Sequence, residues 1–279
     1  ALISPTDPIA VLATFKKLGA SKKIRVIVAG ESLFNDGVGI VMFYTLLHFA
    51  GNTSPTIGNI SKLFCQQTLG GICFGMLIGY LAHLTIKKSN DHLISILTTL
   101  TLTTAGYTIA SYLSVSGPLA MVVAGIFIGN KAQRGSNEDK INKTLYIFWE
   151  VIDEVLNAAL FLLLGLELIV ISAPIGIIIA ALCAIPLALL ARFISIIIPL
   201  RLSIKNNKIR NETLRVLTWG GLKGGLAVAL ALSIPKHLLP AAEKSIIICM
   251  TFAIVTFSII VQGSTVSRCL PKKSQPVDL

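Results

Sequence analysis

Gly30-Glu31-Ser32-Leu33-Phe34-Asn35-Asp36-Gly37 stands inside an apolar run that extends from about residue 24 to about residue 50. Acids, an amide and a hydroxyl this close together are costly in a helix surrounded by hydrocarbon, and such groups mark functional positions by default. At 100° per residue, Ser32 and Asp36 share one helical face, with Asn35 beside them. Glu31 points roughly 140° away from Asp36 around the same helix. The two acids therefore meet different neighbours and serve different purposes. The competing explanation is a polar contact buried between packed helices, without a ligand.

The surrounding sequence belongs in a membrane. Of 279 residues, 54% are hydrophobic and only 13% charged, whereas soluble domains carry about a quarter charged residues. A spanning helix needs roughly 20 apolar residues. About nine runs qualify or nearly so, near 1–15, 24–50, 62–86, 92–113, 115–130, 146–170, 175–200, 212–234 and 245–266, the first and fifth being short. The expectation is an all-α, polytopic membrane protein. Residues 1–266 form a single transmembrane domain and 267–279 a short cytoplasmic tail. The cysteines lack metal spacing and mostly lie in apolar runs, where they read as small buried hydrophobes.

Net charge is +11, but the basic residues are placed by orientation rather than by nucleic acid. With the loop after the first run in the cytoplasm, alternation puts clusters such as Lys16, Lys22 and Arg25, Lys140 and Lys143, and Arg201, Arg210 and Arg215 on the inside. The outer loops hold Lys62, Lys236 and Lys244. This is the positive-inside distribution. Arg192 and Lys223 remain within hydrophobic runs.

Further groups join the first set near the middle of the bilayer. Ser4-Pro5-Thr6-Asp7-Pro8 should unwind, because proline disfavours helical geometry before it and Pro8 cannot bond the Ser4 carbonyl. Unwound backbone with the Thr6 hydroxyl and the Asp7 carboxylate offers oxygen ligands for a small hard cation. A proline-kinked loop at the membrane surface reads equally well. Counting 1.5 Å per residue from the nearest cytoplasmic bases puts Asp7 and Asp36 at depths of roughly 13 and 18 Å, and Arg192 and Lys223 at roughly 12–13 Å. Around Lys223, Gly220-Gly221-Leu222-Lys223-Gly224-Gly225 weakens the eighth run and admits another backbone. The first two runs go inward then outward and the last two outward then inward, each pair holding one break. Inverted repeats with two broken crossing helices are the architecture of secondary transporters. Glu150, Asp153 and Glu154 share one face at the start of the sixth run, forming either a cytoplasmic cation funnel or a solvated first turn. Glu167 reads as interfacial.

Ser-Pro-Thr-Asp-Pro-Ile-Ala-Val from Ser4, Gly-Glu-Ser-Leu-Phe-Asn-Asp-Gly from Gly30, Phe-Leu-Leu-Leu-Gly-Leu-Glu-Leu from Phe161 and Gly-Gly-Leu-Lys-Gly-Gly-Leu-Ala from Gly220 resemble the sodium/hydrogen exchanger family (monovalent cation:proton antiporter-1), in its bacterial NhaP-type branch. The resemblance runs over essentially the whole chain and in the family's order. It implies an NhaA/NhaP-like antiporter fold, with a core domain and a second domain that usually forms a homodimer. It further implies Na+ at Asp36, Ser32, Asp7 and Thr6, with Asn35 the neutral member of a pair associated with electroneutral exchange. Glu31 looks like the partner of the buried Arg192. Family members commonly carry arginine where this chain has Lys223, which keeps the charge that compensates the broken helix but loses the planar fork. They also usually have about four more spanning helices before the cation motif, so the fold is expected to lack its first helices.

The expected function is secondary active exchange of Na+ or Li+ for H+ by alternating access at a midplane carboxylate site. Its setting is the bilayer of the cell inner (plasma) membrane, with no cofactor and no nucleic acid. Alternatives are K+/H+ exchange, or a non-transporting fragment that associates with a full-length antiporter. A channel fits less well, because it needs a continuous pore. Nothing in the sequence assembles the nucleophile, base and orienting group of an enzyme.

Overall fold

The computed structural model describes residues 1–17, 19, 22–50, 57–89, 91–132, 139–170, 174–203, 206–235 and 237–269, and these residues are helix, turn and coil with no strand. The helices follow the apolar runs: α1 Ile9–Lys17, α2 Lys22–Ala50, α3 Ile57–Ser89, α4 His92–Thr101, α5 Tyr107–Tyr112, α6 Gly117–Ala132, α7 Asp139–Val170, α8 Ile175–Ser203, α9 Asn207–Gly220, α10 Gly225–Leu232 and α11 Ala241–Phe257. Among the described residues five helical stretches are long and apolar enough to cross a membrane: Ile24–Ala50, Gly58–Ser89, His92–Tyr112, Ile175–Leu202 and Ala242–Cys269. Gly117–Gly129 is apolar but shorter. The chain is a multi-pass, all-α membrane protein.

Two helices contain wide turns that the apolar pattern did not announce. A π turn at Leu102–Gly106 joins α4 to α5, and another at Ser258–Gln262 continues α11 toward Gly263–Thr265.

Contacts divide the chain into two compact units, residues 1–39 with 164–279, and residues 40–163. In the second unit α3 packs along α6. Their backbones come so close that a Cβ added to Gly75 would stand 2.4 Å from the Ala120 carbonyl oxygen. Small residues take this place because apolar side chains gain nothing by leaving lipid, so van der Waals contact between backbones drives association. Trp149 on α7 donates its indole N–H to Thr99 Oγ1 on α4 at 3.1 Å, which satisfies a polar atom on an otherwise apolar surface.

In the first unit α8 packs on α9 and α11, and α10 packs on α11. Its apolar core joins Val11 and Phe15 of α1 to Val28, Ile196, Val216, Leu217, Leu222 and Val266. The opposite side of α8 exposes Leu182, Leu190, Ile194 and Ile198 at helical spacing, the face for lipid. The same logic corrects the expectation for the cysteines. Cys249 is buried, but Cys65, Cys73 and Cys183 are exposed, because apolar runs in a membrane protein turn much of their surface outward.

Candidate functional site

The site lies in the first unit and begins with a failure of helix formation. Residues 4–8 are irregular and α1 starts only at Ile9, as the two prolines require. The N–H groups of Thr6 and Asp7, which a helix would have used, turn to other elements. Thr6 donates to Asp36 Oδ1 at 2.9 Å, and Asp7 donates to the Leu222 carbonyl at 2.7 Å. Ser32 donates its hydroxyl to the Thr6 carbonyl. With that proton committed, the Thr6 hydroxyl is the donor in the 2.8 Å contact with Ser32 Oγ. Thr6 and Ser32 are both buried. Two residues one turn apart on α2 thus hold one residue of the unwound segment.

Glu31 faces the other way, as its position on the helix dictates. It meets Arg192 of α8 in a two-pronged pair, Nη1 to Oε1 at 2.6 Å and Nη2 to Oε2 at 2.7 Å. Nη2 also donates to the Leu217 carbonyl at 2.9 Å. A planar fork matched to a carboxylate is the strongest form of charge-assisted hydrogen bond. Asn35 donates to Glu31 Oε1, one turn along the helix, so the observed bond of this amide is to the ion pair rather than to Asp36.

The second break lies between α9 and α10, where residues 221–224 are coil. Its glycines are required by proximity. A Cβ on Gly221 would stand 2.2 Å from Arg192 Nη2, and one on Gly224 would stand 2.8 Å from the Asp7 Cβ. Between them Lys223 is buried, and its Nζ reaches across to the Ser4 carbonyl at 3.2 Å. The two breaks therefore touch, backbone to backbone at Asp7 and Leu222, and side chain to backbone at Lys223 and Ser4. Asp36 lies within electrostatic range of Asp7, Lys223 and Glu31.

Sequence reasoning singled out Thr6, Asp7, Glu31, Ser32, Asn35, Asp36, Arg192 and Lys223, and the structure gathers all of them in one unit. Glu150 and Glu154 are exposed on α7, and Asp153 accepts a 3.4 Å bond from Asn157. All three belong to the second unit. The side chain of Glu167 lies outside the described residues, as do residues 270–279 of the expected tail. Among the described residues no group of three or more His, Cys, Asp or Glu side chains is arranged to hold a metal ion. The oxygen set at Thr6, Ser32, Asp7 and Asp36 is of a different kind, mixing hydroxyl, carboxylate and backbone oxygen. Ser258 and Gln262 were missed. Both are buried and bonded to the second break. A search for ionisable groups passes over them, although an amide in the middle of an apolar run was a visible signal.

Broken helices that touch through unwound backbone, with buried bases and half-buried acids gathered around them, are the build of a secondary transporter core. The sodium/hydrogen exchanger transmembrane family model matches residues 1–272, and the chain belongs to that family. It is 38% identical over 271 residues to the Na+/H+ antiporter NhaP of Pseudomonas aeruginosa, covering 95% of this chain and 63% of the relative. The Na+/H+ antiporter NhaH of Halobacillus dabanensis is 32% identical over 278 residues, covering 98% of this chain and 67% of the relative. Among solved structures, the sodium proton antiporter MjNhaP1 from Methanocaldococcus jannaschii shares the fold with a TM-score of 0.75 at 20% identity, over 96% of this chain and 68% of that one. The chain thus spans about two thirds of the length of these relatives.

Proposed function

We propose that this chain carries the ion site of a cation/proton antiporter, and that Na+ and H+ compete for it at Asp36. The observation that supports this reading best is the grip of Ser32 and Asp36 on the unwound Thr6, with Asp7 beside the second break. Hydroxyl, carboxylate and backbone oxygens suit a small hard cation. The charges agree with exchange of one ion for one proton. With Glu31 and Arg192 neutralising one another, Asp7, Asp36 and Lys223 leave one negative charge uncompensated when all are ionised. One Na+ or one proton restores balance in a medium that tolerates no net charge, so each excludes the other.

Coupling follows if the site changes its exposure only when balanced. An empty, charged site is held back by the cost of carrying its charge through a low-dielectric barrier, and either cargo lifts that cost. The Glu31–Arg192 pair braces α2 against α8. Li+ meets the same requirement as Na+, and the protein is proposed to work as a homodimer in the cell inner membrane.

The test is a proteoliposome assay with an acid interior and a trapped pH dye. Adding Na+ outside should alkalinise the lumen, independently of membrane voltage, and K+ should not substitute. Asp36→Asn should abolish the response while the protein stays folded. Sodium-dependent proton flux in that variant near the wild-type rate would falsify the assignment.

A further inference from the structure

The unwound stretch between α9 and α10 leaves backbone groups that neither helical half can satisfy, and the last helix takes up two of them. Lys223 donates its N–H to Ser258 Oγ at 2.8 Å. The one hydroxyl proton of Ser258 goes on to Gln262 Oε1 at 2.6 Å. Ser258 is therefore the acceptor toward Lys223, and the carboxamide is fixed with its nitrogen turned away. Gln262 Nε2 donates to the Trp219 carbonyl at 3.3 Å, and the Trp219 indole donates to Thr265 Oγ1 at 2.8 Å. A single directed chain of bonds links both ends of the break to one face of the last helix.

The helix is distorted where this happens. Ser258 and Gln262 begin and end a π turn, a wide turn frequently found at functional sites. Ser258 is 0% exposed and Gln262 3%, so no solvent could replace the partners they have. A buried amide and hydroxyl are costly unless fully bonded. Leucine or alanine would serve a helix that only had to pack. The bonded pair instead fixes the peptide that touches the ion site. The Leu222 carbonyl accepts the Asp7 N–H at 2.7 Å, and Gly224 lies against the Asp7 side chain.

We propose that Ser258 and Gln262 are positioning residues for the cation site, holding the Leu222–Gly224 backbone, and through it Asp7, in the place where the ion is bound. The proposal rests on the cation/proton reading above, although that reading assigns nothing to the last helix. Ser258 and Gln262 touch neither the ion oxygens nor Asp36; they act through the Leu222–Asp7 bond.

The experiment measures apparent KM for Na+ and maximal rate in proteoliposomes for Ser258→Ala, Gln262→Met and Ser258→Thr, beside thermal unfolding of each in detergent. Ser258→Ala and Gln262→Met should raise KM by about fivefold, the worth of one net hydrogen bond, with a smaller change in maximal rate. Ser258→Thr keeps the hydroxyl and should stay within about twofold of wild type. Lower unfolding temperature with unchanged KM would overturn the proposal, because the pair would then be structural only. Loss of folded protein in both Ser258→Ala and Gln262→Met would overturn it for the same reason. Asp36→Asn runs alongside: if it still exchanges, the ion-site reading has failed. If it is silent while both relay variants keep wild-type KM, the positioning role alone has failed.

Discussion

Glu31 and Arg192 form a pair that can be broken from either side, and the geometry sets what each cut should cost. The Arg192 side chain is 8% exposed and that of Glu31 24%, so water cannot replace the lost partner at the arginine and does so only in part at the glutamate. Glu31→Ala removes both prongs, leaving Arg192 with the Leu217 carbonyl alone. Arg192→Ala strands the Glu31 carboxylate beside Asn35 and frees the Leu217 carbonyl at the end of α9. Removing one partner of a buried pair costs about 3–5 kcal/mol, mostly the penalty of the charge left behind. The double variant leaves no orphaned charge, so it should lose about as much as one single variant rather than the sum. Arg192→Lys keeps the charge but replaces a fork with a point donor, and should fall between wild type and Arg192→Ala. Equilibrium unfolding in mixed detergent micelles, followed by tryptophan fluorescence, gives the four free energies of the cycle. Additive singles, or a Glu31→Ala cost below about 1 kcal/mol, would refute the argument, since the pair would then behave like an exposed surface bridge.

Two further outcomes follow from the site. Gly221→Ala places a methyl within 2.2 Å of Arg192 Nη2; the guanidinium cannot retreat without releasing Glu31, so stability should fall by about 3 kcal/mol, read in the same unfolding assay. The proposed competition at Asp36 gives a pH effect of definite sign. Lowering pH adds the competing proton, so apparent KM for Na+ should rise, by up to about tenfold per pH unit where the carboxylates titrate, with maximal rate unchanged at saturating Na+; an effect on maximal rate alone would contradict direct competition.

Much of this site was legible because hydrocarbon punishes polarity. Pro5 and Pro8 announced the first break, and the glycines around Lys223 announced the second. The angle between Glu31 and Asp36 on α2 separated the ion pair from the candidate ion site before either partner was known. Other features were not legible, for identifiable reasons. A π turn costs one register shift and carries no residue signature, so Ser258–Gln262 read as ordinary helix. Periodicity places Asn35 beside Ser32 and Asp36, whereas its amide bonds to Glu31, one turn back on α2. Exposure of Cys65, Cys73 and Cys183 could not be read from their apolar neighbours, which describe lipid-facing and core positions alike.

The backbone of the second break has hardly a bond of its own. Its carbonyls and N–H groups are held by Arg192, Asp7, Ser258 and Gln262, residues drawn from widely separated parts of the sequence. During synthesis α9 and α10 emerge before the helix that carries Ser258 and Gln262, so the bonds of those two residues cannot yet exist, although Asp7 and Arg192 are already made. An unwound stretch with unmet backbone groups is not tolerated in bare lipid. The Trp219 carbonyl and the Lys223 N–H, which a continuous helix would have paired, meet their partners only when the last helix arrives. A chain that stalls before Ser258 therefore holds every charged residue of the candidate site but lacks the two residues that bind the Lys223 N–H and the Trp219 carbonyl.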